Sequence, residues 1–180
     1  MLKSPKNLGV VHFIGIGGIG MSGIAEILFQ SGYQVQGSDL NISNNTIRLE
    51  KLGIKVYIGQ KKSNIVNAKI IVISTAISEK NEEFIAAKKM FLPIVHRSEM
   101  LGELMRLKQS IAIAGTHGKT TTTSLIAKMI EENGMDPTII NGGIISSLDS
   151  NAKLGNGEWM IVEADESLSL IHISEPTRPY

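Results

Sequence analysis

Two glycine-rich loops, each set between an apolar run and a helical pattern, constrain this chain more than any other feature. The first, Gly15-Ile16-Gly17-Gly18-Ile19-Gly20, follows the apolar run Val10 to Ile14 and precedes helical periodicity that sets in near Met21. The second, Gly115-Thr116-His117-Gly118-Lys119-Thr120-Thr121, follows Ser110 to Ala114 and opens a helical pattern over Thr120 to Glu132, with Leu125, Ile126, Met129 and Ile130 apolar. Strand, glycine loop and helix in that order is the setting in which helix N-H groups and the positive end of the helix hold phosphate. A chain that does this twice is expected to be α/β and to bring two phosphorylated ligands together.

The first loop has the form of a pyrophosphate cradle, its glycines allowing a tight turn and close backbone approach. Asp39 closes the next apolar segment, where a ribose-reading carboxylate would stand. Taken alone, this half reads as a dinucleotide-binding unit, or as an ordinary glycine-rich turn. The second loop is more specific because its residues differ in kind. Backbone N-H groups between Gly115 and Lys119 suit phosphate oxygens, Lys119 suits the β and γ phosphates, and the Thr120 hydroxyl suits Mg²⁺. It is a variant, because only Thr116 and His117 separate Gly115 from Gly118. His117 reads as a loop filler and not as a base.

Strand-like runs at Val10 to Ile14, Gln34 to Gly37, Lys55 to Ile58, Ile70 to Ser74 and Pro93 to Val95 alternate with helical patterns at Ile19 to Gln30, Asn44 to Leu52, Glu82 to Met90 and Ser98 to Leu107. Alternation of this kind predicts a parallel sheet covered on both faces. The expected fold is a Rossmann-like parallel-sheet N-terminal domain over 1–107, then the start of a P-loop α/β ATP-binding domain over 108–167. That second unit has strands expected at Pro137 to Ile140 and Met160 to Val162, with a polar stretch from Ser146 to Asn156 between them. Roughly 60 residues of open sheet bury little core for independent folding. No proline- or glycine-rich linker separates the units.

Smaller expectations attach to single residues. Ser98 reads as a helix N-cap. Arg97 faces either an anionic ligand or a surface ion pair. Asn141-Gly142-Gly143 either approaches ligand backbone or makes a turn after a strand. Trp159, Met100 and Met105 read as packing residues. Glu163, Asp165 and Glu166 are either a solvated acidic turn or, for Glu163 at a strand end, a hard oxygen ligand apt for Mg²⁺.

Several segments together resemble one family, the Mur ligases of bacterial peptidoglycan synthesis, and in particular its alanine-adding branch. They are His12 to Met21, Gly37-Ser38-Asp39, Arg97 to Leu101, Ala114 to Thr120, Asn141-Gly142-Gly143 and Glu163 to Ser167, in that order from about Val10 to Ser167. The resemblance implies an ATP-dependent ligase joining L-alanine to UDP-N-acetylmuramate through an acyl phosphate. It implies UDP-sugar binding at Gly15, Gly17, Gly18 and Gly20 with Asp39 toward the uridine, and ATP at residues Gly115 to Thr121 with Lys119 catalytic. Thr120 and Glu163 would hold Mg²⁺. A sister ligase that attaches a recycled peptide to the same sugar nucleotide, and an NAD-binding domain protein, are the alternatives.

After Ser167 the pattern breaks into Leu168-Ser169-Leu170-Ile171-His172-Ile173-Ser174-Glu175-Pro176-Thr177-Arg178, which resembles a translated transposon-type library adapter. Residues 168–180 are therefore expected to be non-native and the chain an N-terminal fragment that does not ligate. A net charge of +1 over 180 residues, with charges interspersed, leaves no field for nucleic acid. No apolar run approaches the roughly 18 residues of a membrane span. The N-terminus lacks an h-region, so no signal peptide is expected. The absence of cysteine fits a reducing compartment. These traits match a bacterial cytoplasmic enzyme.

Overall fold

The computed structural model describes residues 8–145 and 150–164. Its first sheet has five parallel strands in the order β3-β2-β1-β4-β5. They are β1 (Val10–Ile14), β2 (Gln34–Asp39), β3 (Lys55–Ile58), β4 (Ala68–Ile73) and β5 (Ile94–His96). The helices between them are α1 (Ile19–Gln30), α2 (Asn44–Lys51) and α3 (Glu82–Lys89), with a 3₁₀ turn at Lys62–Ile65. Helix α4 (Arg97–Met105) follows β5 and leads to a second sheet of β6 (Gln109–Ile113), β7 (Thr138–Ile145), β8 (Ser150–Lys153) and β9 (Trp159–Glu163), with α5 (Lys119–Glu132) after β6. The second sheet runs β6-β9-β7-β8 and is parallel except for the β7–β8 pair.

Local chemistry sets most of these boundaries. Ser43 caps α2, its hydroxyl accepting from the Thr46 N-H while the Thr46 hydroxyl accepts from the Ser43 N-H, a reciprocal capping box. Asn81 caps α3 through the N-H groups of Glu83 and Phe84. The Ser98 expectation is corrected: α4 starts one residue earlier, His96 is its N-cap, and Ser98 lies buried within the first turn. The reason is Glu99, whose carboxylate accepts from the His96 N-H at 2.9 Å and fixes the start there. Met100 is buried and Met105 packs against the same core, as expected.

Helix α1 positions both halves of the molecule. Every residue from Met21 to Leu28 is buried, the burial of a helix covered on more than one side. One side packs on the first sheet and another meets β7 and β8, so one core joins Phe13, Ile24 and Leu28 to Ile140, Ala152 and Val162. A separate core under α3 gathers Ile14, Ile65, Ile71 and Ala87, and a third under α5 gathers Ala127, Ile139 and Ile161.

Strand β8 lies within the stretch read from sequence only as polar, Ser146 to Asn156. Its Ser150, Asn151 and Ala152 are buried because partners from the first sheet's helices receive them. Arg48 of α2 bonds Glu26 of α1 and Ser150, and reaches Asn151 at 3.2 Å. Ser150 donates to Glu26 at 2.9 Å, and the Asn151 amide donates to the Ile19 carbonyl. Gly23 makes the approach possible: a methyl there would lie 2.7 Å from Asn151 Nδ2 and 3.3 Å from the Ala152 methyl. Gly23→Ala is expected to destabilise the chain by about 1–3 kcal/mol, the range for overpacking. Thermal melting checks this, with an unshifted midpoint counting against the close packing. Lys108, at the junction, donates to the carbonyls of Gly155 and Gly157 at 2.7 Å each, and burial pulls its pKa down.

Candidate functional site

The first glycine loop is held from below by β2. Gly15, with a left-handed φ of 80°, and Ile16 both donate to the Ser38 carbonyl, at 2.8 and 2.9 Å. The Gly17 N-H donates to Asp39 Oδ2 at 2.8 Å, and the Asn45 amide donates to the Gly17 carbonyl. Asp39 thus uses one oxygen to anchor the loop, a role its spacing did not disclose. No side chain caps α1 behind Gly18, so its first-turn N-H groups, those without an intrahelical carbonyl, stand at the mouth of the loop. Gly20 lies under Arg97, whose Nη1 is 2.7 Å from where a methyl would be. Burial lowers the Arg97 pKa. Arg97 lines the cleft wall beside the first glycine loop.

The second loop connects β6 to α5. Gly115 and Gly118 have positive φ, 146° and 75°, and Gly118 is the N-cap of α5. Lys119 folds back over the loop and donates to the Gly115 carbonyl at 2.7 Å. Thr116, His117 and Thr121 are exposed. Thr120 Oγ1 donates to Glu163 Oε2 at 2.8 Å, so residues far apart in sequence meet at one carboxylate. Asn141, Gly142 and Gly143 lie within β7, which corrects the reading of a turn after a strand. The Gly142 N-H also donates to Glu163 Oε2, at 2.8 Å.

The two loops open into one cleft of about 440 Å³, lined by Gly18, Gly20 and Arg97 from the first half and Lys119, Gly142 and Glu163 from the second. It presents a helix N-terminus and an arginine on one wall, and a lysine and a carboxylate on the other. Such a site suits an anionic ligand on each wall. No cluster of three or more His, Cys, Asp or Glu that could hold a metal occurs among the described residues. The Thr120–Glu163 pair nevertheless fits Mg²⁺, which takes one or two protein oxygens and completes its shell with water and phosphate. Asp165, Glu166 and the segment 168–180 lie outside the described residues. Among those described, no helix is long and apolar enough to cross a membrane.

The sequence is 58% identical over 166 residues to a UDP-N-acetylmuramate--L-alanine ligase from Sinorhizobium fredii, covering 92% of this chain and 35% of that protein. It is 60% identical to the protein of the same name from Parvibaculum lavamentivorans, over 93% of this chain and 34% of that one. The chain therefore spans about a third of the length of the curated relatives it matches. Among solved structures, UDP-N-acetylmuramate-alanine ligase from Thermotoga maritima superposes with a TM-score of 0.80 at 33% identity, covering 86% of this chain and 37% of that one. The UDP-N-acetylmuramate:L-alanyl-gamma-D-glutamyl-meso-diaminopimelate ligase from Neisseria meningitides gives 0.81 at 30% identity, over 88% of this chain and 53% of that one. The profile of the Mur ligase family, catalytic domain, matches residues 10–109, the first sheet with its helices and the whole first glycine loop, and the chain belongs to the Mur ligase family.

Proposed function

We propose that this chain is part of an ATP-dependent ligase that joins L-alanine to UDP-N-acetylmuramate, working in the bacterial cytoplasm on small-molecule substrates in peptidoglycan synthesis. The observation that carries the proposal is the single cleft onto which both glycine loops open. In this reading 1–107 is the sugar-nucleotide unit and 108–167 begins the ATP unit. The N-H groups at the start of α1, with Gly15, Gly17, Gly18 and Gly20 shaping the loop, receive the diphosphate of the UDP-sugar, and Asp39 holds the loop's shape toward the uridine.

On the other wall, the loop from Gly115 to Thr121 cradles ATP. The substrate carboxylate takes the γ-phosphoryl group, and the amine of L-alanine then displaces phosphate to form the amide. Such chemistry needs positioning and charge neutralisation more than a covalent nucleophile. Lys119 supplies fixed positive charge at the terminal phosphates. Thr120 and Glu163 are the residues that would hold Mg²⁺, which when bound adds positive charge beside the same phosphates. The two loops bring the sugar's carboxylate and the γ phosphate to one cleft, which removes the entropic cost of their encounter. In this reading the chain carries the sugar-nucleotide unit and only the beginning of the ATP unit of a protein about three times its length. A peptide-adding ligase on the same sugar nucleotide is the second reading, supported by the equal likeness to the Neisseria meningitides structure.

Calorimetric titration with UDP-N-acetylmuramate, alongside NADH in a parallel run, tests the assignment. Binding of the sugar nucleotide without NADH is the expected result. Binding of NADH alone, or heat from neither with a folded protein, would overturn it.

A further inference from the structure

We infer that Gly142 is a positioning residue for Glu163: its N-H fixes one carboxylate oxygen, and its lack of a side chain is the space that the carboxylate fills. The inference rests on the ATP and Mg²⁺ reading of the second loop and deepens it. Glu163 ends β9, which lies between β6 and β7 in the sheet. Its Oε2 accepts from the Thr120 hydroxyl and from the Gly142 N-H, each at 2.8 Å. Two donors from two elements prevent the carboxylate from turning without losing one of them. What the pair then offers a cation is Glu163 Oε1 and the lone pairs of Thr120 Oγ1, whose proton is already committed.

The space around the carboxylate is equally determined. A methyl on residue 142 would lie 2.7 Å from Glu163 Cδ and Oε1 and 2.8 Å from Oε2. Gly142 has no left-handed φ, so what glycine gives there is room and not backbone conformation, and a methyl would turn the flexible end of Glu163 aside. The neighbouring Gly143 is different, since a methyl there would meet the Thr120 methyl at 3.4 Å, an ordinary contact. Asn141, itself buried, donates from its amide to Ser124 Oγ at 3.1 Å and so ties β7 to the helix that carries Thr120. Strand, helix and glutamate form one frame around the cation position. Gly142 touches no reacting atom in this arrangement, and acts through Glu163.

The test compares wild type with Gly142→Ala and Gly143→Ala, using Mn²⁺ as a paramagnetic substitute for Mg²⁺. Electron paramagnetic resonance reads Mn·ATP affinity, and calorimetry reads ATP with the metal chelated and UDP-N-acetylmuramate. Gly142→Ala is expected to weaken Mn·ATP by about tenfold or more, the loss typical when a partner that orients a metal ligand is disturbed. Metal-free ATP and the sugar nucleotide should bind as before, and Gly143→Ala should resemble wild type. An unchanged Mn·ATP affinity in Gly142→Ala, or an equal loss of metal-free ATP, would overturn the proposal. Failure of wild type itself to bind Mn·ATP would instead sink the ATP reading beneath it. If Gly142→Ala does not fold, the wild-type amide resonance of Gly142 carries the test. It should move with Mg·ATP and not with metal-free ATP, and a resonance that stays put refutes the role.

Discussion

Lys119→Ala, made in the full-length ligase, is expected to lower kcat on the order of a thousandfold, the scale seen when a charge-stabilising group is removed from a transition state. In the structure the Lys119 ammonium rests on the Gly115 carbonyl at 2.7 Å. That bond uses one of three ammonium donors, and an arriving phosphate, carrying full negative charge, attracts the rest more strongly than a carbonyl dipole does. Binding of ATP should weaken much less than turnover, since the loop N-H groups remain. Steady-state phosphate release, with kcat and KM separated, distinguishes these effects. A near-normal kcat would remove Lys119 from the mechanism. Lys119→Arg should not restore full activity, because a planar fork does not replace a compact ammonium.

The largest expected loss of stability is at Glu83, a wholly buried carboxylate on α3. It accepts from Ser38 Oγ at 2.5 Å and from the Asn64 amide at 2.6 Å, and faces His12 Nε2 at 3.3 Å. The histidine tautomer follows from Gln36, whose amide nitrogen donates to the Asn64 carbonyl at 2.8 Å and lies 3.1 Å from His12 Nδ1. Nδ1 therefore accepts, and the Nε2 proton points at Glu83. Glu83→Ala leaves three buried donors without their acceptor. Each costs about 1–3 kcal/mol if unsatisfied, and water entering the new space offsets part of it. A net loss of about 3 kcal/mol or more is expected, read as a lower urea midpoint at unchanged slope. Ser38 also carries the carbonyl that holds Gly15 and Ile16. Sugar-nucleotide affinity should therefore fall more than ATP affinity in this variant, and equal losses would show that Glu83 supports the fold without favouring the first loop.

What the sequence disclosed was what is local. Strand β1, helix α1 and strand β3 have the limits expected from periodicity and glycine placement alone, because their signals lie within a few residues of their ends. Strand β8 was invisible because Ser-Asn-Ala-Lys has no apolar alternation, and the side chains that make its burial tolerable, Glu26 and Arg48, are supplied by other elements. The Ser98 expectation fails because a serine before a helical pattern is a common cap signal, while the bond that sets the start, from the His96 N-H to Glu99, is made by a residue type that also suits a helix interior. The glycines of β7 looked like a turn because the carboxylate that needs their room comes from a later strand. Asp39 was placed by its distance from the loop, yet its bond to Gly17 is a tertiary fact. The strand, loop and helix order of both glycine loops was readable, whereas the cleft uniting Arg97 with Lys119 required two sheets to be set against each other.

The contact of β8 with α1 bears on how far the two sheets can turn against each other. The first turn of α1 offers its N-H groups to the cleft while the carbonyl of Ile19, in that same turn, is gripped by Asn151. Swivelling the second sheet against the first would pull this turn out of shape and would also detach Arg48 from Ser150 and Asn151. Any rotation of the second sheet against the first therefore has to break these contacts of β8 before it can proceed.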